Sequence, residues 1–318
     1  MYLRFYGARG SIPTPMTTEE YGRKLRTILS EAAKTGADLS TEESREAFIQ
    51  SLPFDLRATY GGNTSCVYLR VEDTHIILDM GSGLRTLGRE LVATDLGHNS
   101  TVLHIFLSHL HWDHIQGLPF FIPAYLGGHC LHIYSPVERL ASRMKQQQNA
   151  PFFPISLEKM GAQFVFHKLH VQKSYTIASC TVRTLELKHP NRSFAYRFEH
   201  EGKSLVYATD IELNEQSIDF IKTCTDFFHN ADILIFDAQY TVKESFDKLH
   251  WGHSSVYTAI DIARKSAVKK LVLFHHEPGY NDAQLCEIHR DAFTYNTVVA
   301  QERALEVIPA YDGLKISL

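Results

Sequence analysis

The chain has 318 residues, of which 44% are hydrophobic and 21% are charged, and its formal net charge at pH 7 is −4. This composition is typical of a soluble globular protein, and its acidic balance excludes a general electrostatic attraction to nucleic acid. The longest apolar runs, such as residues 231–236, are too short to cross a bilayer. The N-terminal residues lack the basic and long apolar segments of a secretion signal, so we expect a cytoplasmic protein.

The cysteines support the same compartment. They are five in number, widely scattered and free of C-x-x-C spacing. Such cysteines predict buried thiols in a reducing environment, not disulfides or zinc knuckles. The length allows one large domain or two average ones, and we expect a single domain over residues 1–318.

The N-terminal part contains a segment of helical character. Residues 2–6 predict an edge strand, and residues 17–52 follow it with apolar side chains at helical spacing. The run Thr-Thr-Glu-Glu at 17–20 is typical of a helix start, and a second short helix is expected from about residue 41. We interpret 17–52 as a helical insertion. It could cover a functional site, form the contact of a homodimer, or cap exposed sheet, and the sequence leaves these three open.

Two turns beside predicted strands carry glycine and small polar residues. The turn at 60–65 precedes a strand at 66–71, and a strand at 75–79 runs into the turn at 81–83 and a helix. A strand, a glycine-rich turn and a helix start together are typical of an anion cradle, although many α/β turns share this pattern. Asn63 and Ser82 are therefore candidate substrate contacts.

The strongest motif is residues 108–114, Ser-His-Leu-His-Trp-Asp-His, directly after the apolar run 101–107. Imidazoles with a carboxylate suit zinc, manganese or iron better than calcium or magnesium. The alternative is a polar surface loop that happens to be rich in histidine, since the chain has 18 histidines. Chance seldom places such a run directly behind a buried-looking strand. The motif therefore predicts a metal site with four candidate ligands: His109, His111, Asp113 and His114.

Strands dominate the remainder of the chain, with a few helices between them. A loop at 149–154 is rich in phenylalanine, for which core packing is favoured slightly over substrate stacking. Further elements are predicted from the apolar spacing: a strand at 131–134, a helix at 136–148, strands at about 163–166, 171–175, 180–188, 194–199, 204–209 and 232–236, a helix at 254–267, a strand at 271–274, a helix at about 282–304 and two short C-terminal strands.

Three of these predicted strands end at a potential metal ligand, namely His189, Asp210 and His275. The ligand loop likewise follows a strand, at 102–108. In each case the residue is expected at a sheet edge, where loops can bring side chains together. Either His189 or Asp210 alone would be interpreted as a structural strand-end residue, but together they favour one shared site. His276 is a rival to His275. The register Leu-Val-Leu-Phe-His parallels Ile-Phe-Leu-Ser-His before His109 and favours His275.

These motifs resemble the signature of the metallo-β-lactamase superfamily of dinuclear metallohydrolases, and the resemblance covers most of the chain. It implies an α/β (α+β) fold, a four-layer αββα sandwich of two similar halves. It also implies two divalent metal ions, zinc first, with manganese or iron as alternatives. Asp79 is expected to support the ligands from behind. The resemblance assigns His109, His111 and His189 to one metal, Asp113, His114 and His275 to the second, and Asp210 to both.

Residues 250–255, His-Trp-Gly-His-Ser-Ser, resemble an element of the ribonuclease Z-like phosphodiesterase branch. In that branch the histidine assists the leaving oxygen or binds the phosphate, beside a helix N-terminus that favours an anion. We expect His253 and Ser254 to contact the substrate, and Asp237 to orient His253 and hold it protonated. A histidine beside a helix start without any chemical role is the alternative.

The implied reaction is attack on phosphorus by a hydroxide held between two metals about 3.5–4 Å apart, with Asp113 orienting the nucleophile. His189 and Asp210 are 21 positions apart (210 − 189), whereas tRNase Z inserts a long tRNA-gripping arm between the corresponding motifs. The short spacing favours a cyclic nucleotide or another small cyclic phosphodiester over a nucleic-acid partner. An RNase Z-like nuclease acting on RNA or DNA ends is one alternative, and a non-catalytic metal-binding sensor is another.

Overall fold

Two seven-stranded β-sheets face each other in the computed structural model of the chain, which describes residues 1–94, 100–213, 218–300 and 304–318. The first sheet has the order β14-β1-β2-β3-β4-β5-β6, and the second has the order β13-β12-β11-β10-β9-β8-β7. The strands are β1 Tyr2–Gly7, β2 Cys66–Val71, β3 Thr74–Leu78, β4 Val102–Phe106, β5 Cys130–Ser135, β6 Gln163–Lys168, β7 Ser174–Ile177, β8 Cys180–Leu187, β9 Ser193–His200, β10 Lys203–Ala208, β11 Ile233–Asp237, β12 Lys270–Phe274, β13 Glu306–Pro309 and β14 Lys315–Ser317.

The two sheets are similar halves of one architecture. Strands β3 to β6 are parallel in the first, and strands β10 to β13 are parallel in the second. Apolar side chains alternate between the faces, as the period of two in a strand requires. In β3, Ile76 and Leu78 pack in the core between the sheets, whereas Ile77 packs under the outer helices.

Helices cover the outer face of each sheet and complete four layers. Leu84, Leu87 and Leu91 of α4 pack on the first sheet together with α6, and α7, α9 and α10 pack on the second. The predicted αββα sandwich is therefore confirmed. The helices are α1 Thr18–Thr35, α2 Glu42–Ser51, α3 Phe54–Arg57, α4 Leu84–Ala93, α5 Trp112–Ile115, α6 Leu140–Gln147, α7 Ile218–Phe228, α8 Val242–Asp247, α9 Val256–Lys265 and α10 Asp282–Val298.

The segment 17–52 is helical, as predicted. Helix α1 begins with a capping box in which Thr17 and Glu20 satisfy each other's backbone N–H groups. Lys24 connects the helix to the rest of the protein. Its Nζ lies 2.8 Å from Oδ2 of Asp282, and both side chains are largely buried. Leu25 and Leu29 of α1 are exposed, so part of the apolar spacing that predicted the helix faces outward and not into the core.

Other details differ from the sequence-based expectation. Strand β1 is not at an edge, because β14 pairs with it on the side away from β2. The last helix ends at Val298, and residues 301–303 of its predicted extent lie outside the described residues. Helix α7 was not predicted, although its apolar residues recur at helical spacing from Phe220 to Phe228 and pack in the core.

All five cysteines are free, and Cys66, Cys180 and Cys224 are buried, in accord with the predicted unpaired thiols. Cys130 and Cys286 are only half-buried. Within the described ranges, no helix has both the length and the apolar character needed to cross a membrane.

Candidate metal centre

Four strands of the two sheets end just ahead of a potential ligand. Strand β4 ends at Phe106 before the loop 108–114, and β8, β10 and β12 end one or two residues before His189, Asp210 and His275. Asp210 and His275 have positive φ angles of 56° and 63°, which are uncommon for residues other than glycine. These sharp turns at the strand ends direct the side chains towards one common volume between the halves.

The first group of ligands comprises His109, His111, His189 and Asp210, which offer donor atoms within 4.8 Å of one another. Nδ1 of His111 lies 3.2 Å from Nε2 of His189. Nε2 of His109 and Nε2 of His189 each lie 3.6 Å from Oδ1 of Asp210. Two nitrogens bound to one tetrahedral zinc ion at about 2.0–2.1 Å lie about 3.3 Å apart. The spacing of these donors therefore fits a single metal ion.

The second group comprises Asp113, His114 and His275. Nε2 of His114 and Nε2 of His275 both lie 3.1 Å from Oδ2 of Asp113. The same two nitrogens lie 3.2 and 3.4 Å from Oδ2 of Asp210. Asp210 thus presents Oδ1 to the first group and Oδ2 to the second, as a carboxylate that bridges two ions would.

Several ligand rings are oriented through Nδ1, the nitrogen that faces away from the cluster. Nδ1 of His189 lies 3.0 Å from the carbonyl oxygen of Gly252, and Nδ1 of His275 lies 3.1 Å from Oε1 of Gln239. Because these oxygens only accept hydrogen bonds, each Nδ1 carries a proton, and Nε2 is the nitrogen that can offer a lone pair to a metal ion. Neutral imidazole with an exposed lone pair is the form that binds a metal ion.

Two buried nitrogens test whether a metal fits. Nε2 of His109 and Nε2 of His114 have no hydrogen-bond partner among the described residues. A buried polar atom without a partner is costly, and native structures contain few of them. Both atoms point at the carboxylates of the cluster, where a cation would satisfy nitrogen and oxygen together. The donor set therefore fits two divalent ions.

The charges of the cluster lead to the same conclusion. Burial lowers the pKa of His109 well below its ordinary value and lowers the pKa of His189 to about 4. Burial alone would raise the pKa of Asp113 and of Asp210, but the neighbouring His114 and His275 outweigh it and lower both. Burial opposes protonation of His275, yet Asp210 and Asp113 raise its pKa to about 9. The buried carboxylates thus favour a positive charge at this point, either a proton on His275 or a metal ion that takes its place.

Asp79, which the resemblance expects behind the ligands, contacts the cluster through its carboxylate. Oδ1 accepts a hydrogen bond of 2.7 Å from the backbone N–H of Ser108, and Oδ2 accepts one of 2.7 Å from the hydroxyl of Tyr207. Nδ1 of His114 lies 2.8 Å from the same Oδ2. Asp79 therefore fixes the ring of a first-sheet ligand and binds a tyrosine of the second sheet.

His253 stands beside the metal cluster and is held by Asp237, with 2.7 Å between Nδ1 and Oδ2. Asp237 also accepts hydrogen bonds from the backbone N–H of Asp210 at 3.1 Å and of Ser254 at 3.1 Å. A cavity of about 430 Å³ is lined by His253 together with four residues of the cluster, His111, Asp113, Asp210 and His275. Donor atoms of Asp210, His253 and His275 also lie within 4.8 Å of one another, so His253 is close enough to reach a metal ion or its substrate.

Three predicted substrate contacts lie elsewhere. The hydroxyl of Ser254 is buried and donates to the carbonyl oxygen of Ile211 at 2.6 Å. Ser82 donates to Oδ1 of Asn63 at 3.0 Å, and Asn63 donates to Oδ2 of Asp312 at 3.0 Å. None of the three lines the cavity among the described residues, so their contact with substrate stays a prediction.

The choice between the adjacent histidines 275 and 276 follows from their directions. His275 faces the cluster, whereas Nε2 of His276 lies 2.8 Å from the carbonyl oxygen of Ala310. His276 is instead packed against Tyr60 and His289. Of the two, His275 lies in the cluster, and its role as a metal ligand stays a prediction.

Three further contacts of the site were not predicted from the sequence. The backbone N–H of Ser11 donates to Oδ2 of Asp113 at 2.8 Å. A Cβ on the preceding Gly10 would lie 2.6 Å from the ring of His275, so only glycine fits there. Glu212 accepts hydrogen bonds from the backbone N–H groups of His250 and Gly252 at 3.0 and 2.9 Å. The glycines of the 7–11 turn were a signal of this close approach.

Gln239 is the third contact and bears on His275 directly. Its Nε2 donates to Oε2 of Glu277 at 2.8 Å, which turns Oε1 towards Nδ1 of His275. The hydrogen bond to Glu277 therefore determines the orientation of the Gln239 amide. The amide oxygen in turn requires a proton on Nδ1 of His275. No local pattern marks a glutamine for this role.

Comparison with known proteins places these residues in a family context. Residues 74–276, which include every predicted metal ligand, match the family described as the beta-lactamase superfamily domain. A ribonuclease Z of Porphyromonas gingivalis is 24% identical over 284 residues, covering 73% of this chain and 89% of the relative. The metallo-beta-lactamase fold protein YhfI of Bacillus subtilis superposes with a TM-score of 0.62 at 18% identity, over 99% of this chain and 98% of that one. A diphosphatase from the PhnP family superposes with a TM-score of 0.62 at 19% identity, over 100% and 97%.

Proposed function

The chain belongs to the beta-lactamase superfamily, and on that premise we propose that it is a metal-dependent phosphodiesterase that hydrolyses a cyclic nucleotide or another small cyclic phosphodiester. The observation that carries the proposal is the His253–Asp237 pair at 2.7 Å beside the metal cluster. A ribonuclease and a diphosphatase are among the similar proteins, and both names refer to chemistry at phosphorus.

In this proposal, His109, His111 and His189 hold one divalent ion, Asp113, His114 and His275 hold the other, and Asp210 is shared. When bound, the two ions would lower the pKa of a water molecule and neutralise charge on the phosphate oxygens. Asp113 is well placed to orient the nucleophile, because its Oδ2 is fixed by the backbone N–H of Ser11. Asp79 and Gln239 hold the ligand rings in position.

His253 acts on the leaving group. Its Nδ1 is engaged by Asp237, so Nε2 is the nitrogen available to the substrate. A proton on Nε2 passes to the departing alkoxide, and Asp237 stabilises the positive charge that the ring carries before that transfer. This role matters for a sugar alkoxide, which is a poor leaving group without a proton.

Two observations support a small substrate over a nucleic acid. The hairpin of strands β9 and β10 with its turns fills the gap between His189 and Asp210, which leaves no room for a separate gripping arm. The residues that line the cavity include neither lysine nor arginine in the described part of the chain, although contact with a phosphate backbone relies on such residues.

An RNase Z-like nuclease acting on RNA or DNA ends is the second candidate, favoured by the ribonuclease Z relatives. A non-catalytic metal-binding sensor is a third candidate, which the full set of ligands disfavours. Zinc as the metal, a homodimer, a cytoplasmic location and a single domain stay predictions from the sequence.

A substrate panel tests the proposal. The purified protein is assayed, with zinc and with manganese, on 2′,3′- and 3′,5′-cyclic nucleotides, phosphoribosyl cyclic phosphate and short RNA. We expect hydrolysis of at least one small cyclic diester and little cleavage of RNA, with the chelated protein as the inactive control. Preferential cleavage of RNA would favour the nuclease, and no hydrolysis by protein that binds both metals would favour the sensor.

A further inference from the structure

Both tryptophans of the chain lie beside the metal centre and are exposed to solvent. Trp112 is 81% exposed and Trp251 is 62% exposed, and the sequence contains no third tryptophan. Trp112 stands in the ligand loop between His111 and Asp113 and lines the cavity. Trp251 directly precedes Gly252, whose carbonyl oxygen orients His189.

Each tryptophan adjoins, along the chain, a residue that belongs to the cluster or contacts it. The rings of His111 and His189 have centroids 5.0 Å apart. His111 directly precedes Trp112 in the chain. His189 contacts the carbonyl oxygen of Gly252, the residue that follows Trp251. The tryptophans come from different halves of the sandwich, the first from the loop behind β4 and the second from the segment between α8 and α9. The same pair of rings is therefore approached from both halves, by Trp112 next to His111 in the chain and by Trp251 next to the glycine that contacts His189.

Exposure on this scale is unfavourable for an indole unless something covers it. Tryptophan is highly buried on average in folded proteins, and burial of its large apolar surface is among the strongest contributions a side chain makes. The exposed aromatic side chains of the described residues also include Phe120 and Phe152.

We propose, on the premise of the proposed function, that Trp112 and Trp251 are stacking platforms for nucleobases, so that the substrate is a phosphodiester of nucleosides and not a base-free sugar phosphate. An exposed indole can bind a flat aromatic ring by stacking, which requires no hydrogen bond between the two rings. Stacking on aromatic side chains holds single bases in many nucleotide-binding proteins and tolerates any base, since every base has a π-face. The platforms would hold the base while the metal ligands address the phosphate.

Intrinsic fluorescence tests the contact without any turnover. Adenosine 5′-monophosphate and ribose 5-phosphate are titrated into the metal-loaded protein, and the tryptophan emission is recorded. We expect saturable quenching by the nucleotide and little by the sugar phosphate. Because the chain has two tryptophans, Trp112→Phe leaves Trp251 as the sole reporter and Trp251→Phe leaves Trp112. Equal quenching by the two ligands, or none by either, would overturn the proposal.

Kinetics provide the second measurement. Adenosine 2′,3′- and 3′,5′-cyclic phosphates are compared with the corresponding methyl riboside cyclic phosphates, which lack the base. Base stacking measured by alanine substitution predicts that Trp112→Ala or Trp251→Ala lowers the preference for the nucleotide, in kcat/KM, by roughly 5- to 150-fold. Phenylalanine at either position should retain most of the preference. Phe293→Ala removes an exposed aromatic ring of α10 and serves as the matched control.

The two proposals fail in different ways. If the base-free diesters are cleaved as well as the nucleotides, and the alanine variants leave that ratio unchanged, the stacking role is wrong while the phosphodiesterase stands. If no diester is cleaved but the nucleotide still quenches the emission selectively, the phosphodiesterase is wrong while the base-binding surface stands.

Discussion

Asp237 joins the metal cluster to His253 through one carboxylate oxygen: its Oδ2 lies 2.7 Å from Nδ1 of His253 and accepts the backbone N–H of Asp210 at 3.1 Å. The bridging ligand and the neighbouring histidine are thus positioned by the same buried group. A change at Asp237 is expected to affect both, whereas a change at His253 leaves the support of Asp210 in place.

Replacement of His253 separates leaving-group chemistry from metal binding. His253→Ala should lower kcat for a cyclic nucleotide by about 10²–10⁴-fold, the usual contribution of a general acid. The loss should be much smaller for bis(p-nitrophenyl) phosphate, because a nitrophenolate departs without a proton. Steady-state kinetics on both substrates, with metal content measured in parallel, provide the comparison. Equal losses on the two substrates would remove the proton-donor role.

Asp210 faces both groups of ligands, and stoichiometry can verify this. Native mass spectrometry should detect two ions per chain in the wild type, one in His189→Ala, and weakened binding of both in Asp210→Ala. The reason is that Oδ1 and Oδ2 of Asp210 approach different groups. An Asp210→Ala protein that keeps one ion at wild-type affinity would contradict the bridging arrangement.

Gln239 should matter for metal affinity although it touches no ion. Gln239→Leu removes the acceptor of Nδ1 of His275 and is expected to weaken metal binding about 10- to 100-fold, as other outer partners of metal-bound histidines do. Competition with a chromophoric chelator measures the change. Gln50→Leu alters an exposed glutamine of α2 and is the control. Unchanged affinity in Gln239→Leu would show that His275 is oriented by other contacts.

A comparison of two buried tyrosines measures how much the hydrogen bond to Asp79 contributes to stability. Tyr207 donates to a carboxylate at 2.7 Å, whereas Tyr196 donates to the carbonyl oxygen of Leu107 at 2.6 Å. Urea denaturation should report a loss of about 1.5–3 kcal/mol for Tyr207→Phe and of about 0.5–1.5 kcal/mol for Tyr196→Phe, since bonds to charged groups are stronger. A larger loss of unfolding free energy in Tyr196→Phe than in Tyr207→Phe would contradict this prediction.

His289 predicts a pH dependence of stability. It is buried against Tyr60 and His276 with Arg9 nearby, and burial, aided by the charge of Arg9, lowers its pKa to about 3. The unfolded chain takes up this proton near pH 6.5, so the stabilising contribution is complete above that pH and is lost as the pH falls towards 3.

The expected size of this contribution is about 2 kcal/mol of unfolding free energy between pH 7 and pH 5. In His289→Asn the pH dependence should shrink by that amount, as measured by urea denaturation of the chelated protein at both pH values. Burial and the neighbouring His289 also lower the pKa of His276, so the comparison is repeated in a His276→Asn background to isolate His289. An unchanged slope would show that His289 is protonated within the fold.

Much of this protein was determined by the sequence through local chemistry. The period of apolar residues predicted most strands and the insertion helices, and the capping residue Thr17 marked where α1 begins. The ligand loop 108–114 and the strand-end residues His189, Asp210 and His275 were also predictable, because a strand delivers its last residue to the sheet edge whatever its partners are. Ligand type and spacing along the chain sufficed for these predictions.

Only the tertiary structure decided which atoms meet. Tyr207 and Asp79 are 128 positions apart in the chain and 2.7 Å apart in space, and no local pattern encodes that pairing. The same holds for the amide of Gln239, for the retreat of Asn63 and Ser82 from the cavity, and for the exposure of Trp112. Periodicity specifies the face on which a side chain lies, whereas its partner depends on how two sheets, formed by distant parts of the chain, pack against each other.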